Sequence, residues 1–359
     1  MQRDLIERHG PLARDFLDAV GDPANRQRLY SAKNASLELS LDVAEIWSGR
    51  LYSEQTKWLR SLITQLAPER VLDIGCEQGI LTRVIAEAAP DAEVRAVDNC
   101  AEAVELARDY AKQWKAPSPA FHLYDLRDPW HAEWAGGTMD VVHASRSMLG
   151  EVIVPSAEMP RSPLPGERQP DADWLREARV MAGRIAAATR PGGLFISLER
   201  TDMNGALRWA RVLAENGFHL DESRTRLFDA PEPGIPDLRL PCLVFEMLDG
   251  VAAPQPSSSQ VVGALLDAPR GEGSWSGLEA EALAVESQAG ELASGWEWNK
   301  GDERAEVRIR ADGHLVESRL SAESGATVWV HGPGSTDAVV ERLEKELTAL
   351  LGSLPDTPQ

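Results

Sequence analysis

The chain has 359 residues and a formal net charge of −20, a length that holds one large domain and a smaller one. Its 43% hydrophobic and 26% charged residues are those of an ordinary soluble globular chain, and its acidity argues against nucleic acid as a partner, because phosphate backbones call for basic patches. Cys76, Cys100 and Cys242 are widely spaced with no C-x-x-C pair, which argues against a disulfide framework or zinc site and fits a reducing cytoplasm.

Residues 1–10 are charged and lack an apolar core, so they do not read as a signal peptide. No apolar run approaches the ~20 residues that span a bilayer, so no membrane role and a cytoplasmic location are expected. Residues 1–66 read as a helical cap. Leu5, Ile6, Leu12, Phe16, Leu17 and Val20 recur at helical spacing, and Gly21, Asp22 and Pro23 break the pattern. A second helix is predicted over 53–66, with Trp58, Leu59, Leu62, Ile63 and Leu66 on one face. Tyr52 and Ser53, just ahead of it, are the cap residues expected to reach a ligand. The alternative is a cap that only covers a sheet edge.

Residues 71–79, VLDIGCEQG, organise the rest of the chain. Val71, Leu72 and Ile74 read as a buried strand with Asp73 near its end; Gly75 and Gly79 bracket a turn; 80–89 reads as a helix. Glycine permits the turn and lets a ligand approach bare backbone, and the helix start offers N–H groups. Strands are then predicted at 93–98, ending in Asp98, at 120–125, ending in Asp125, at 139–145, and at 194–198 after Arg190-Pro191-Gly192-Gly193. Helices are predicted at 101–114 and 171–189 between them. Such alternation implies a parallel sheet wound on both faces.

The pattern then changes. A helix at 203–216 leads into a strand-like run at 218–228, a Pro-rich loop at 231–236 and a strand at 243–248. Two strands without a helix between them imply an antiparallel terminal hairpin. Residues 251–275 have linker composition. Residues 276–359 read as a small α+β module, with strands at 306–310, 314–320 and 327–331, a helix at 335–351 capped by Ser335, and an ambiguous stretch at 278–292. Trp275, Trp296, Trp298 and Trp329 are candidates for its core. Oligomerisation or partner binding through this module stays open.

Taken in order, the glycine loop, the acids Asp98 and Asp125, the Arg-Pro-Gly-Gly turn and the terminal hairpin make residues 55–248 resemble the class I S-adenosylmethionine-dependent methyltransferases. The resemblance implies a Rossmann-like seven-stranded sheet over 67–250, parallel with an antiparallel terminal hairpin, and S-adenosyl-L-methionine as cofactor. It implies Asp73 facing the cofactor's ammonium, and Gly75, Cys76 and Gly79 forming the approach. Asp98 with Asn99 would stand at the ribose, Asp125 and the Leu126 amide at the adenine, and Ser145 at the end of the fourth strand. Each acid has a plainer reading as the cap of its own turn. A nicotinamide dehydrogenase shares much of this layout, but it wants glycine where Glu77 stands, and a carboxylate there would repel a diphosphate.

The family places its acceptor groups after the fourth strand and in the cap. Here these are His143, Ser145, Arg146 and Ser147, Tyr52, and the proline-rich insertion at 151–171, read as a substrate-facing loop. His143 is a candidate general base or a packed structural histidine. Arg146 is a partner for an anionic substrate or for a neighbouring acid. No Asn-Pro-Pro-Tyr-like tetrapeptide follows the fourth strand, Pro241-Cys242 lies in the hairpin, and 198–202 lacks the Asp-Asn pair of magnesium-dependent catechol-type enzymes. The expectation is metal-independent, in-line methyl transfer to an O or N atom of a small molecule, or of a protein side chain. The competing reading is a cofactor-binding scaffold whose C-terminal module does the work.

Overall fold

The computed structural model describes residues 2–20, 25–114, 119–130, 137–149, 172–201, 203–233, 238–249, 252–256, 260–261, 264–265, 273–276, 292–300, 303–310, 315–321, 325–331, 341–342 and 345. Contacts between residues divide the chain into two units, one ending at Pro256 and one beginning at Ser257.

The first unit opens with α1 (Gln2–His9), α2 (Pro11–Val20), α3 (Arg26–Lys33) and α4 (Leu37–Leu66). Ser36 starts α4 by accepting the Leu39 amide at 3.2 Å, and Ala67 ends it in the left-handed region at φ +45°. At 1.5 Å per residue the helix is ~45 Å long. Its amino-terminal half buries Leu39 and Val43 against Leu5 and Phe16 of the first helices. Its carboxyl-terminal half buries Leu59, Leu62 and Ile63 against the sheet. Sequence periodicity places Tyr52 and Ser53 ahead of a helix, whereas both lie inside α4. The small polar residues Ser40 and Ser48 sit on its buried face and interrupt the apolar repeat that would announce the earlier start. Ser53 is exposed; Tyr52 is half-buried.

Next come β1 (Arg70–Ile74), α5 (Ile80–Ala88), β2 (Glu93–Asp98), α6 (Ala101–Ala111), β3 (Ala120–Leu123), β4 (Met139–Ser145), α7 (Ala172–Ala188), β5 (Thr189–Leu198), α8 (Met203–Glu215), β6 (Phe218–Leu220), β7 (Arg226–Asp229) and β8 (Arg239–Met247). The sheet order is β3-β2-β1-β4-β5-β8-β6, with β7 also on β8. β1 to β5 run parallel and β8 is antiparallel to β5. The expected sixth strand is split: Leu220 pairs with Phe245 and Arg226 with Cys242. The Asp221 carboxylate between them accepts the Ser223 and Arg224 amides at 3.0 and 3.1 Å, closing a turn. Eight segments thus fill seven positions of a Rossmann-like sheet.

Alternation along β5 separates two layers of core. Leu194, Ile196 and Leu198 join Leu59 and Ile63 of α4 and Leu81 and Ile85 of α5. Phe195, on the opposite face, meets Trp209 of α8, Phe218 and Phe245, with centroids 5.9–6.5 Å apart. The Arg190-Pro191-Gly192-Gly193 turn falls within β5 as an irregularity of register rather than before it, since Met139 pairs with Thr189 but Val141 with Leu194.

The second unit contains β9 (Gly273–Ser276), β10 (Leu292–Lys300), β11 (Glu303–Arg310), β12 (Leu315–Ser321) and β13 (Gly325–His331). They form an antiparallel sheet in the order β10-β11-β12-β13-β9. β9 lies where the composition still reads as linker, and β10 is a strand that the apolar pattern does not announce. Trp296 stands opposite Val307, Val307 opposite Glu317, and Glu317 opposite Trp329. Glu341, Arg342 and Lys345 are helical, with Lys345 donating to Glu341 at 2.6 Å. The insertion at 151–171, the stretch 278–291 and the rest of 335–351 lie outside the described residues. No helix among the described residues is long and apolar enough to cross a membrane.

Candidate active site

The strand order reverses between β1 and β4: β2 and β3 follow on one side, β5 on the other. In open α/β sheets the crevice at the carboxyl ends of the strands at such a switch point is where ligands bind. The chain after β1 is shaped for it. Gly75 has φ +69°, Glu77 +49° and Gly79 +86°, so the turn needs three left-handed residues. The amides of Gly75 and Cys76 both donate to Val97 O, at 2.8 and 3.1 Å, tying the loop to β2. A Cβ on Gly75 would come within 2.9 Å of Ser147 Oγ, and closer to its Cβ. The Cys76 thiol is buried beside Ala96 and Val104, and burial raises its pKa well above the ordinary thiol value.

Glu77 keeps the backbone conformation a glycine would supply, and its side chain turns to Lys33 of α3 in an ion pair. Its amide donates to Asp98 Oδ2 at 2.9 Å, while Asp98 Oδ1 accepts the Cys100 amide at 2.8 Å. Asp98 therefore braces the loop from the end of β2. Burial pushes its pKa up to about 6, against the lowering effect of those two amides. Each carboxylate oxygen retains accepting capacity after one such bond. Asn99 is exposed beside it.

Asp73 and His143 are cross-strand neighbours on β1 and β4, and both are buried. Asp73 Oδ1 pairs with His143 Nδ1 at 2.7 Å, and Oδ2 accepts the Thr82 hydroxyl at 2.5 Å. Ser145, two residues on, accepts from Gln55 Nε2 at 3.1 Å. Arg146 then turns out of the strand at φ +56° and donates to Ser48 Oγ at 2.7 Å and Tyr52 Oη at 2.9 Å. Tyr52, Gly75, Glu77, Gln78, His143 and Arg146 line one small cavity of about 30 Å³. Among the described residues, neither the side-chain nitrogen nor the oxygen of Gln78, buried at this cavity, has a partner, and His143 Nε2 has none either. Orphaned buried polar atoms around a crevice fit a polar ligand.

On the β3 side, Asp125 Oδ1 accepts the Arg127 amide at 2.9 Å, closing its own turn. Leu126 is buried and its carbonyl accepts from Arg184. The loops after β1, β2, β3 and β4 thus line one rim in spatial order: Asp125 and Leu126, Asp98 and Asn99, Gly75 to Gly79, then Ser145 and Arg146. Among the described residues, no group of three His, Cys, Asp or Glu side chains gathers as a metal site.

Four contributors escape the sequence patterns. Ser48 and Gln55 flank Tyr52 at i, i+4, i+7 on α4, a polar stripe within its buried face that is legible once the helix is known to start at Leu37. Lys33 is 44 positions from Glu77 in the chain and nothing local marks it. Glu199, buried just past β5, accepts the Met148 and Leu149 amides at 3.2 and 3.0 Å and the Ser197 hydroxyl at 2.9 Å, fixing the turn after β4. A lone acid closing an apolar strand is its only signal.

Residues 71–159 match the family model described as a methyltransferase domain. No curated protein matches the chain significantly in sequence. Similar solved structures include magnesium protoporphyrin IX methyltransferase from Synechocystis with bound SAM, 19% identical over 55% of this chain and 82% of that one, with a TM-score of 0.37. Human N-acetylserotonin methyltransferase in complex with SAM is 15% identical over 69% and 66%, at 0.40. An O-methyltransferase family protein from Burkholderia thailandensis is 17% identical over 70% of each chain, at 0.39. With the glycine loop, the switch-point crevice and the antiparallel β8 in place, residues 71–159 are similar to a methyltransferase domain and sit in a Rossmann-like sheet.

Proposed function

We propose that the chain transfers a methyl group from S-adenosyl-L-methionine to an O or N atom of an acceptor bound beside the cofactor at the β1–β4 crevice. One observation carries this reading: a left-handed glycine loop braced by the carboxylate of Asp98 at a topological switch point. When bound, the cofactor supplies an electrophilic methyl group on a sulfonium.

Each residue then has a task. Gly75 leaves the backbone bare for close approach. Asp98, with Asn99 beside it, accepts the ribose hydroxyls through the capacity its two amide bonds leave free. Asp125 and the Leu126 amide hold the adenine edge. Asp73 supplies negative charge beneath the loop where the cationic amino-acid end lies, with Cys76 and Gly79 shaping that floor and Ser145 closing it. His143, oriented through Nδ1 by Asp73, presents Nε2 to the crevice and is the group placed to take the acceptor's proton. Tyr52 and Arg146 form the wall on the acceptor side. Methyl transfer of this kind asks the protein chiefly for alignment, and a crevice walled by α4 and two anchored loops meets that demand.

Calorimetry of the full chain with S-adenosylhomocysteine tests the site. Binding that Asp98→Ala weakens at least tenfold is expected; equal affinity in the variant would remove Asp98 from it. Incorporation of labelled methyl into a metabolite panel, and into proteins as the second acceptor class, tests turnover.

A further inference from the structure

Arg146 combines a strained backbone, a half-buried cation and neutral partners. Its φ of +56° is one that non-glycine residues avoid, and such strain concentrates at functional sites. Its amide donates to Leu198 O at 2.6 Å, so the turn is pinned to β5 and the side chain is delivered to the crevice wall. There the guanidinium stands over the Tyr52 ring, 5.3 Å from the centroid. Both of its side-chain hydrogen bonds among the described residues end on uncharged hydroxyls, Ser48 Oγ and Tyr52 Oη. The acids whose fields reach it are engaged elsewhere: Glu77 with Lys33, and Glu232 with Arg200 at 2.7 Å. Neither settles on Arg146, so among the described residues no neighbouring acid pairs with it directly.

Against the lowering effect of burial, Tyr52, Glu77 and Glu232 hold its pKa above the ordinary arginine value, so the guanidinium stays charged at the crevice wall, where a ligand's carboxylate can pair with it directly. The hydroxyls take one hydrogen from each terminal nitrogen, and the remaining N–H groups of a planar fork suit a carboxylate. Position decides whose carboxylate it is. Along the rim the adenine and ribose contacts fall at β3 and β2 and the amino-acid contacts at β1. Arg146 lies one step further, beyond Ser145 at the end of β4, on the Tyr52 side of the cavity it shares with Gly75.

We propose that Arg146 anchors a carboxylate of the methyl acceptor, so that the acceptor is an anionic small molecule docked against Tyr52 between the end of β4 and α4. This rests on the cofactor reading above. The cofactor's own carboxylate is the other source of the same chemistry, and the test separates the two.

The full chain, wild type, Arg146→Gln, Arg146→Lys and Tyr52→Phe, is titrated by calorimetry with S-adenosylhomocysteine and with methylthioadenosine, which lacks the amino-acid end. Acetate, benzoate and succinate are then titrated with and without saturating S-adenosylhomocysteine. Expected are S-adenosylhomocysteine affinities within twofold of wild type in every variant. At least one carboxylate should bind wild type, at least tenfold more weakly in Arg146→Gln, with intermediate values in Arg146→Lys and Tyr52→Phe. A tenfold loss of S-adenosylhomocysteine with methylthioadenosine unchanged would assign Arg146 to the cofactor and overturn the proposal. So would carboxylate binding equal in wild type and Arg146→Gln, or absent from wild type. Failure of wild type to take S-adenosylhomocysteine would defeat the cofactor reading instead, while the carboxylate arm on the free protein still reports on Arg146.

Discussion

Replacing Gly75 with alanine should damage fold and site together, by an amount the geometry bounds. At φ +69° an L-residue pays ~1–2 kcal/mol for the left-handed conformation. The new methyl would also press into Ser147, within 2.9 Å of Oγ, and overpacking of that kind costs about 1–3 kcal/mol. Gly75→Ala should therefore lose about 2–5 kcal/mol in urea unfolding and weaken S-adenosylhomocysteine binding. Ser147→Gly in the same chain removes the collision but not the strain. The double variant should recover about 1–2 kcal/mol relative to additivity, even though the Ser147 hydroxyl also gives up its 3.0 Å bond to Ile74 O. A Gly75→Ala protein within about 0.5 kcal/mol of wild type, the range of a neutral surface change, would refute this account of the loop.

Asp98 provides a pH test. Its folded pKa of about 6 lies above the ~3.9 of an unfolded aspartate, so the folded state holds the extra proton between those values. Stability should fall by at most ~3 kcal/mol as pH rises from about 4 to about 6, then level off, and Asp98→Asn should flatten that slope. S-adenosylhomocysteine affinity should run the other way, about tenfold weaker at pH 5 than at pH 7 if the charged form is the binding form; a flat profile would contradict that role. Glu199→Ala leaves the Met148 and Leu149 amides without their acceptor and should cost about 2–4 kcal/mol, with Glu199→Gln losing less; a loss under about 1 kcal/mol for alanine would show that the turn after β4 is held by other means. Lys33→Met and Glu77→Gln, compared singly and together, should give a coupling energy of about 1 kcal/mol, because the side chains are only 15% and 17% exposed and little screened. Additive effects would mean that α3 is not fastened to the loop by this pair.

What could be read from the sequence depended on how local the cause was. β1, β2 and β4 announce themselves as short apolar runs closed by a polar residue, and the glycine loop follows from residues that must take positive φ. Asp98 is legible because a strand end fixes where its carboxylate goes. α4 is only half legible, because Ser40 and Ser48 interrupt its buried face, and with the early start went the stripe of Ser48, Tyr52 and Gln55. The split of the sixth strand hides in one side chain, since Asp221 closes a turn that apolar patterning does not report. Lys33 and Glu199 act through partners far away in the chain. Arg146 shows both limits: the sequence places it after β4, but only the pairing of Glu77 and Glu232 with other cations leaves it without an acid among the described residues.

A crystal structure of the full chain with S-adenosylhomocysteine tests the central claim most directly. The ribose hydroxyls should lie on the Asp98 carboxylate, the amino-acid end against Gly75 above Asp73, and the homocysteine sulfur open toward His143 and Arg146. Density for the ligand anywhere other than the crevice between β1 and β4, or a protein that crystallises without it at saturating concentration, would contradict the account.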